Sequence, residues 1–186
     1  MRYLFALLAL CLFAAPAAAQ DSGRRPSPPL SIALGEMLTL RVDETAPDGY
    51  VIVERTQLGA FTRSEIEAAQ QASQWTMEQA GGVNSMGVVT PEDNDFLAID
   101  PGLIRIRFGQ VPGSDQVLLV IQNGYADAFA YRAVQHTARG ASPTDVCWVL
   151  PNHRSFEHWP YVIDSLDLSN IRLYPWADPG ARPPCQ

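Results

Sequence analysis

The chain contains no lysine, and all thirteen of its basic residues are arginines. A Schiff-base nucleophile, a P-loop, a kinase-type ATP site and a Ser-x-x-Lys acylase each need a lysine amine or ammonium, so this chain runs none of them. Basic runs are missing too. Twenty acidic residues outweigh the arginines and give a formal net charge of −7. Nucleic acid and anionic membranes require clustered Lys or Arg to displace counterions, so no nucleic-acid partner is expected. Cysteine is limited to Cys11, Cys147 and Cys185, with no Cys-x-x-Cys spacing for metal or redox chemistry. The arginine bias and the absence of any Asn-x-Ser/Thr sequon fit a GC-rich bacterial source.

Only one long apolar run is present, Tyr3 to Ala15, preceded by Arg2 and closed by Pro16 and Ala17-Ala18-Ala19. A positive start, a short apolar core and small residues at its end are the three parts of a secretory signal peptide. The run is shorter than the roughly 20 residues a membrane-spanning helix needs. Cys11 follows Leu10 rather than a small residue and sits inside the apolar run, which argues against lipidation there. Residues 1–19 are therefore expected to be removed on export, leaving a periplasmic or secreted protein with no membrane insertion.

Two cysteines then remain, Cys147 and Cys185, and in an oxidising compartment they are expected to form a disulfide. Closing a loop of that length stabilises by roughly 4 kcal/mol on the chain-entropy model. The bridge would pin the Pro/Gly-rich tail from Asp178 to Gln186. Residues 20–30 read as a flexible N-terminus, and residues 31–186 as one globular, β-rich domain without internal repeats.

Most of that domain patterns as strands: Met37 to Val42, Tyr50 to Glu54, Leu103 to Phe108, Tyr125 to Val134, Val146 to Leu150 and Ile171 to Tyr174. Val117 to Ile121 is apolar throughout, as expected of a strand covered on both faces. Asn123-Gly124 reads as a tight hairpin turn, because both residues tolerate positive φ. One helix interrupts the strands. Thr62-Arg-Ser-Glu65 is a capping box and Gly81-Gly82 a stop signal, with Ile66, Ala69, Ser73, Met77 and Ala80 on one face and Trp75 opposite. The fold class implied is an antiparallel β-sandwich with one packed α-helix, the alternative being an open α+β sheet.

Chemistry-bearing motifs are few. There is no Gly-x-Ser-x-Gly elbow and no Gly-rich oxyanion loop, and Ser155, His158 and Asp164 make only a paper triad. Glu92, Asp93 and Asp95 read as a solvated turn. His153, Glu157 and His158 are a possible Zn²⁺ or Cu²⁺ ligand set for a metal-binding protein or metal-dependent hydrolase, though their spacing matches no standard zinc motif. Between Pro151 and Pro160 these residues read as a polar loop. Aromatics crowd the last third of the chain (Trp148, Phe156, Trp159, Tyr161, Tyr174 and Trp176), and Trp148, Arg154, Trp159, Tyr161, Arg172 and Trp176 form the candidate binding surface, the alternative being that these rings fill the core. No cofactor is implied. The function that follows is a non-catalytic exported domain that binds a protein partner or cell-envelope component.

Overall fold

The computed structural model describes residues 28–79, 95–98, 100–146 and 148–176, with the backbone alone for 73–79 and 95. The expected signal peptide, both mature cysteines, the Gly81-Gly82 stop and the Trp75 side chain lie outside the described residues.

The chain folds as two antiparallel sheets with one helix. In chain order the elements are β1 (Leu30–Ala33), β2 (Glu36–Val42), β3 (Tyr50–Gln57), α1 (Arg63–Gln79), a 3₁₀ turn (Asp95–Leu97), β4 (Ile104–Gln110), β5 (Val117–Asn123), β6 (Ala128–Thr137), β7 (Gly140–Pro143), β8 (Trp148–Val149), β9 (Arg154–Trp159) and β10 (Ser165–Tyr174). The first sheet runs β1-β10-β6-β7, with β8 also paired to β6; the second runs β3-β2-β4-β5-β9.

Period-two patterning makes this a sandwich. Leu38 and Leu40 of β2, Ile104, Ile106 and Phe108 of β4, and Leu119 and Ile121 of β5 meet Phe129, Tyr131 and Ala133 of β6 and Leu166 and Leu168 of β10 in one core. Every residue of β5 is buried, as its unbroken apolar run requires. Its second face, with Leu118 and Val120, packs under Phe61, Ile66 and Ala69. Ala68 and Ala72 complete the helix contact against Leu97. The molecule thus has three layers: the first sheet, the second sheet, then α1.

The helix start matches its sequence signal. The Thr62 amide donates to Glu65 Oε2 (2.6 Å) and the Glu65 amide donates to Thr62 Oγ1 (3.2 Å), the reciprocal bonds of a capping box. β1 begins at Leu30, expected in the N-terminal segment, because that side chain and Ile32 enter the core.

Two local expectations are corrected. Asn123-Gly124 is not a two-residue hairpin: β5 and β6 belong to different sheets, and neither residue has positive φ. Asn123 instead staples the crossover. Its Nδ2 donates to the carbonyls of Asp127 (2.8 Å), Val149 (3.1 Å) and Leu150 (2.9 Å), while its Oδ1 accepts from the Tyr125 amide (3.0 Å). Gly124 is needed for close approach, since a Cβ there would lie 1.8 Å from the Asp100 carbonyl oxygen. The 153–158 segment is also not a loop: Arg154 to Trp159 is an edge strand on β5. The two prolines lie outside it and end it rather than prevent it.

Candidate functional site

The outer faces of the two sheets are built differently. On the second sheet, side chains that point away from the core reach up and hold main chain. The Arg107 guanidinium, 2% exposed, donates to the carbonyls of Gly59 (2.9 Å), Ala60 (3.2 Å) and Phe108 (3.1 Å). It also lies 4.4 Å from the Phe61 ring centre and 3.6 Å from Glu65. Burial pulls its pKa down and the Glu65 carboxylate opposes that. Arg154, also buried, donates to the Leu97 carbonyl, and the Gln122 carboxamide donates to that of Phe96. Arg105 pairs with Asp100.

These groups clip the 59–61 loop and the 96–98 segment onto the sheet. Between the clips lies a cavity of about 310 Å³, with Met37, Leu58, Phe96 and Val120 as its apolar wall. The charges at its edge are already met within the protein, Arg107 by Glu65 and Arg105 by Asp100. The arrangement explains the outer face of this sheet as a polar fastening under α1.

The outer face of the first sheet has no helix over it among the described residues. Up to Ser169, β10 turns its odd-numbered residues outward: Asp167 lies opposite Val134 and Ser169 opposite Arg132. A bulge follows, with Asn170 at φ +53°, and pairing resumes with Arg172 opposite Ala130 and Tyr174 opposite Ala128. The extra residue inverts the alternation. Ile171 and Leu173 now follow Leu166 and Leu168 on the inner side, and Arg172 and Tyr174 face out. Trp148 of β8 lies opposite Ala130 from the other side, so Trp148, Ala130 and Arg172 form one row across three strands.

Trp176 completes the group, its ring 5.6 Å from that of Trp148 at 34°. The Arg172 guanidinium lies 5.8 Å from the Tyr174 ring centre. Ala128 and Ala130, small residues on an outer face, are nevertheless buried, consistent with the half-buried rings covering them. The result is an aromatic platform on an alanine floor, with one exposed guanidinium at its edge.

Three of the six residues expected to bind, Trp148, Arg172 and Trp176, are therefore together. The other three are not part of this platform. Arg154 is a structural clip on the second sheet. Trp159 packs on the sandwich core, and Tyr161, 43% exposed, donates to Gln135 Oε1 (3.3 Å) on a separate loop. The Asn170 bulge, which turns Tyr174 outward beside Trp148, Arg172 and Trp176, was missed. The signal was present: the apolar spacing Leu166, Leu168, Ile171, Leu173 slips from two to three at an Asn that tolerates the left-handed region.

His153, Glu157 and His158 do not converge. His158 points outward from β9 to Gln116 Oε1 (3.0 Å), whereas Glu157, the next residue back, points inward opposite Leu119. His153 precedes the strand, its Nδ1 against the Pro151 carbonyl. Among the described residues no three His, Cys, Asp or Glu side chains gather as a metal set. Ser155 and His158 likewise face opposite sides of β9, with Ser155 Oγ donating to Glu157 Oε1 (3.1 Å). Burial raises the Glu157 carboxyl pKa; Ser155 opposes this and the Asp145 charge adds to it. Near it, Tyr131 is buried with no hydrogen-bond partner for its hydroxyl among the described residues, and burial raises that phenol's pKa strongly.

Among the described residues no helix is long and apolar enough to cross a membrane. Comparison with family models, curated proteins and solved structures returns no match to this chain.

Proposed function

We propose that this protein is an exported, non-catalytic binding domain, and that its contact surface is the platform of Trp148, Tyr174, Trp176 and Arg172. The observation that carries the reading is the β10 bulge at Asn170, which turns Arg172 and Tyr174 outward beside the two indoles. A bulge of this kind re-aims side chains at a local cost in pairing. Large, stiff aromatic faces with an arginine at their edge supply contact area at little entropic cost, as binding hot spots do. The occupant we assign is an extended segment of a partner protein. Its apolar or proline side chains would lie on the rings, and a carbonyl or carboxylate would meet Arg172. Export is supported by the apolar leader that precedes the domain.

The test is site-directed photocrosslinking in the exporting cell, with Tyr174 replaced by a photoreactive phenylalanine. The expected result is a discrete protein adduct that disappears when Trp148→Ala or Arg172→Ala is added, and that does not form from a probe at Val53 on β3. Adducts that persist in those variants, or adducts to lipid or glycan alone, would overturn the protein-partner reading.

A further inference from the structure

The outer face of the first sheet carries a second guanidinium next to the platform's own. Phe129, Tyr131 and Ala133 of β6 enter the core, so alternation turns Ala130, Arg132, Val134 and His136 outward. Arg172 lies opposite Ala130 and Arg132 opposite Ser169, which makes the two arginines diagonal neighbours on adjacent strands. Diagonal positions are about 7–8 Å apart, within mutual reach of side chains this long. Both arginines are exposed, and among the described residues neither guanidinium makes a hydrogen bond or an ion pair. Arg172 touches the Tyr174 ring.

Two like charges side by side repel each other, and a chain of net charge −7 has carboxylates enough to relieve them. Yet the carboxylate among the outward residues of β6 and β10 is Asp167, opposite Val134 and so one step beyond Arg132. It lies 2.8 Å from the His136 imidazole instead. Along the strands the face therefore presents the rings with Arg172, then Arg132, then Asp167 with His136.

We propose that the segment bound on this platform is acidic, and that Arg132 and Arg172 together hold one of its carboxylates. The proposal rests on the reading of the platform as a protein-binding surface and names what the partner presents to it. An extended segment rises about 3.3 Å per residue and returns to the same face at every second residue. With an apolar or proline side chain on the rings, the residue two positions away comes over the guanidinium pair, and it is an Asp or Glu. The residue four positions away comes over Asp167 and His136, where a further carboxylate is repelled and a neutral or basic side chain is accepted. Each guanidinium fork donates to the shared carboxylate in a charge-assisted hydrogen bond, which adds geometric selection to charge.

The test uses the full exported chain with the photoreactive phenylalanine in place of Tyr174, alone and with Arg132→Glu or Arg132→Gln. Tandem mass spectrometry maps the crosslinked segment of the adduct, and urea melts show that both variants keep the fold. The expected result is a carboxylate two residues from the apolar side chain at the crosslink. Arg132→Glu should lower the yield by roughly tenfold or more, and Arg132→Gln by less. A synthetic peptide of the mapped segment should bind the unsubstituted chain in titration calorimetry, and should weaken by about tenfold when that Asp or Glu becomes its amide. A mapped segment without such a carboxylate, equal binding of the amide peptide, or an unchanged yield in Arg132→Glu would overturn the acidic partner and leave the protein-partner reading standing. Adducts to an anionic glycan or lipid, or no adduct at all, would overturn that reading and the acidic segment with it.

Discussion

The two outer faces of this sandwich solve opposite problems. The second sheet turns a mixed apolar and cationic surface outward and covers it, using Arg107, Arg154 and Gln122 to seize main-chain carbonyls of the segments that cross it. The first sheet turns aromatic rings outward over alanines, with an exposed arginine beside them. A guanidinium that is buried and bonded to three carbonyls fastens structure. One that is exposed beside a tyrosine ring is free to meet something else. Residue type alone does not separate these roles, and burial with hydrogen-bond partners does.

The comparison breaks most visibly at Arg107. Removing a buried cation that bonds several carbonyls takes a hydrogen bond from each of them and the ion pair from the Glu65 carboxylate, a change that typically costs about 3–5 kcal/mol. Arg107→Met should lower stability by that amount in urea denaturation. If the variant unfolds at the wild-type midpoint, the clips do not hold this face.

Gly124→Ala should come next, because its Cβ would meet the Asp100 carbonyl oxygen, which belongs to backbone and cannot swing away. The crossover between the sheets has to shift, at a cost of roughly 3 kcal/mol. The thermal midpoint measures this, and a shift of less than 2 °C would mean the crossover is soft.

These positions also show what the sequence could and could not say. Period-two patterns exposed the sandwich because one face of β4 and of β6 must be apolar, and β5 announced its double burial by having no polar residue between Val117 and Ile121. The helix start was legible because a capping box is a purely local device. Partnership across the chain was not. Asn123-Gly124 has the local chemistry of a hairpin, but the partners that fix its conformation, at Leu150 and Asp100, come from elsewhere. Arg154 and Arg172 look alike as letters, and only the register of β9 and the bulge in β10 put one under the 3₁₀ turn and the other in solvent. The His153–His158 group failed as a set for the simplest reason: alternation on a strand sends neighbours to opposite faces.

Glu157 sharpens the comparison from inside the sandwich. Burial raises its carboxyl pKa above the unfolded value, so the fold favours the protonated form. A raised carboxylate pKa means a penalty that is present at neutral pH. The penalty shrinks as pH falls through the folded pKa and is gone below the unfolded value near 4.3. Glu157→Gln should therefore stabilise at pH 7 by on the order of 1 kcal/mol, with the gain vanishing at pH 4 or below. Urea melts at the two pH values check it. A gain that is equal at both would mean that ionisation is not the cause.

The smallest effect carries the most weight for function. Arg172 is exposed and its described contact is the edge of the platform, 5.8 Å from the Tyr174 ring centre. An exposed cation–π contact contributes about 0.5–1 kcal/mol at most, and surface substitutions away from structural features fall within about 0.5 kcal/mol. Arg172→Ala should thus leave the urea midpoint nearly unchanged while removing the partner crosslink at Tyr174. Loss of the crosslink without loss of stability is what separates a contact surface from a lid. Were Arg172→Ala to cost 2 kcal/mol or more, the guanidinium would be fastening structure as Arg107 does. The two faces would then be variants of one covered design, and the binding surface would have to be sought elsewhere.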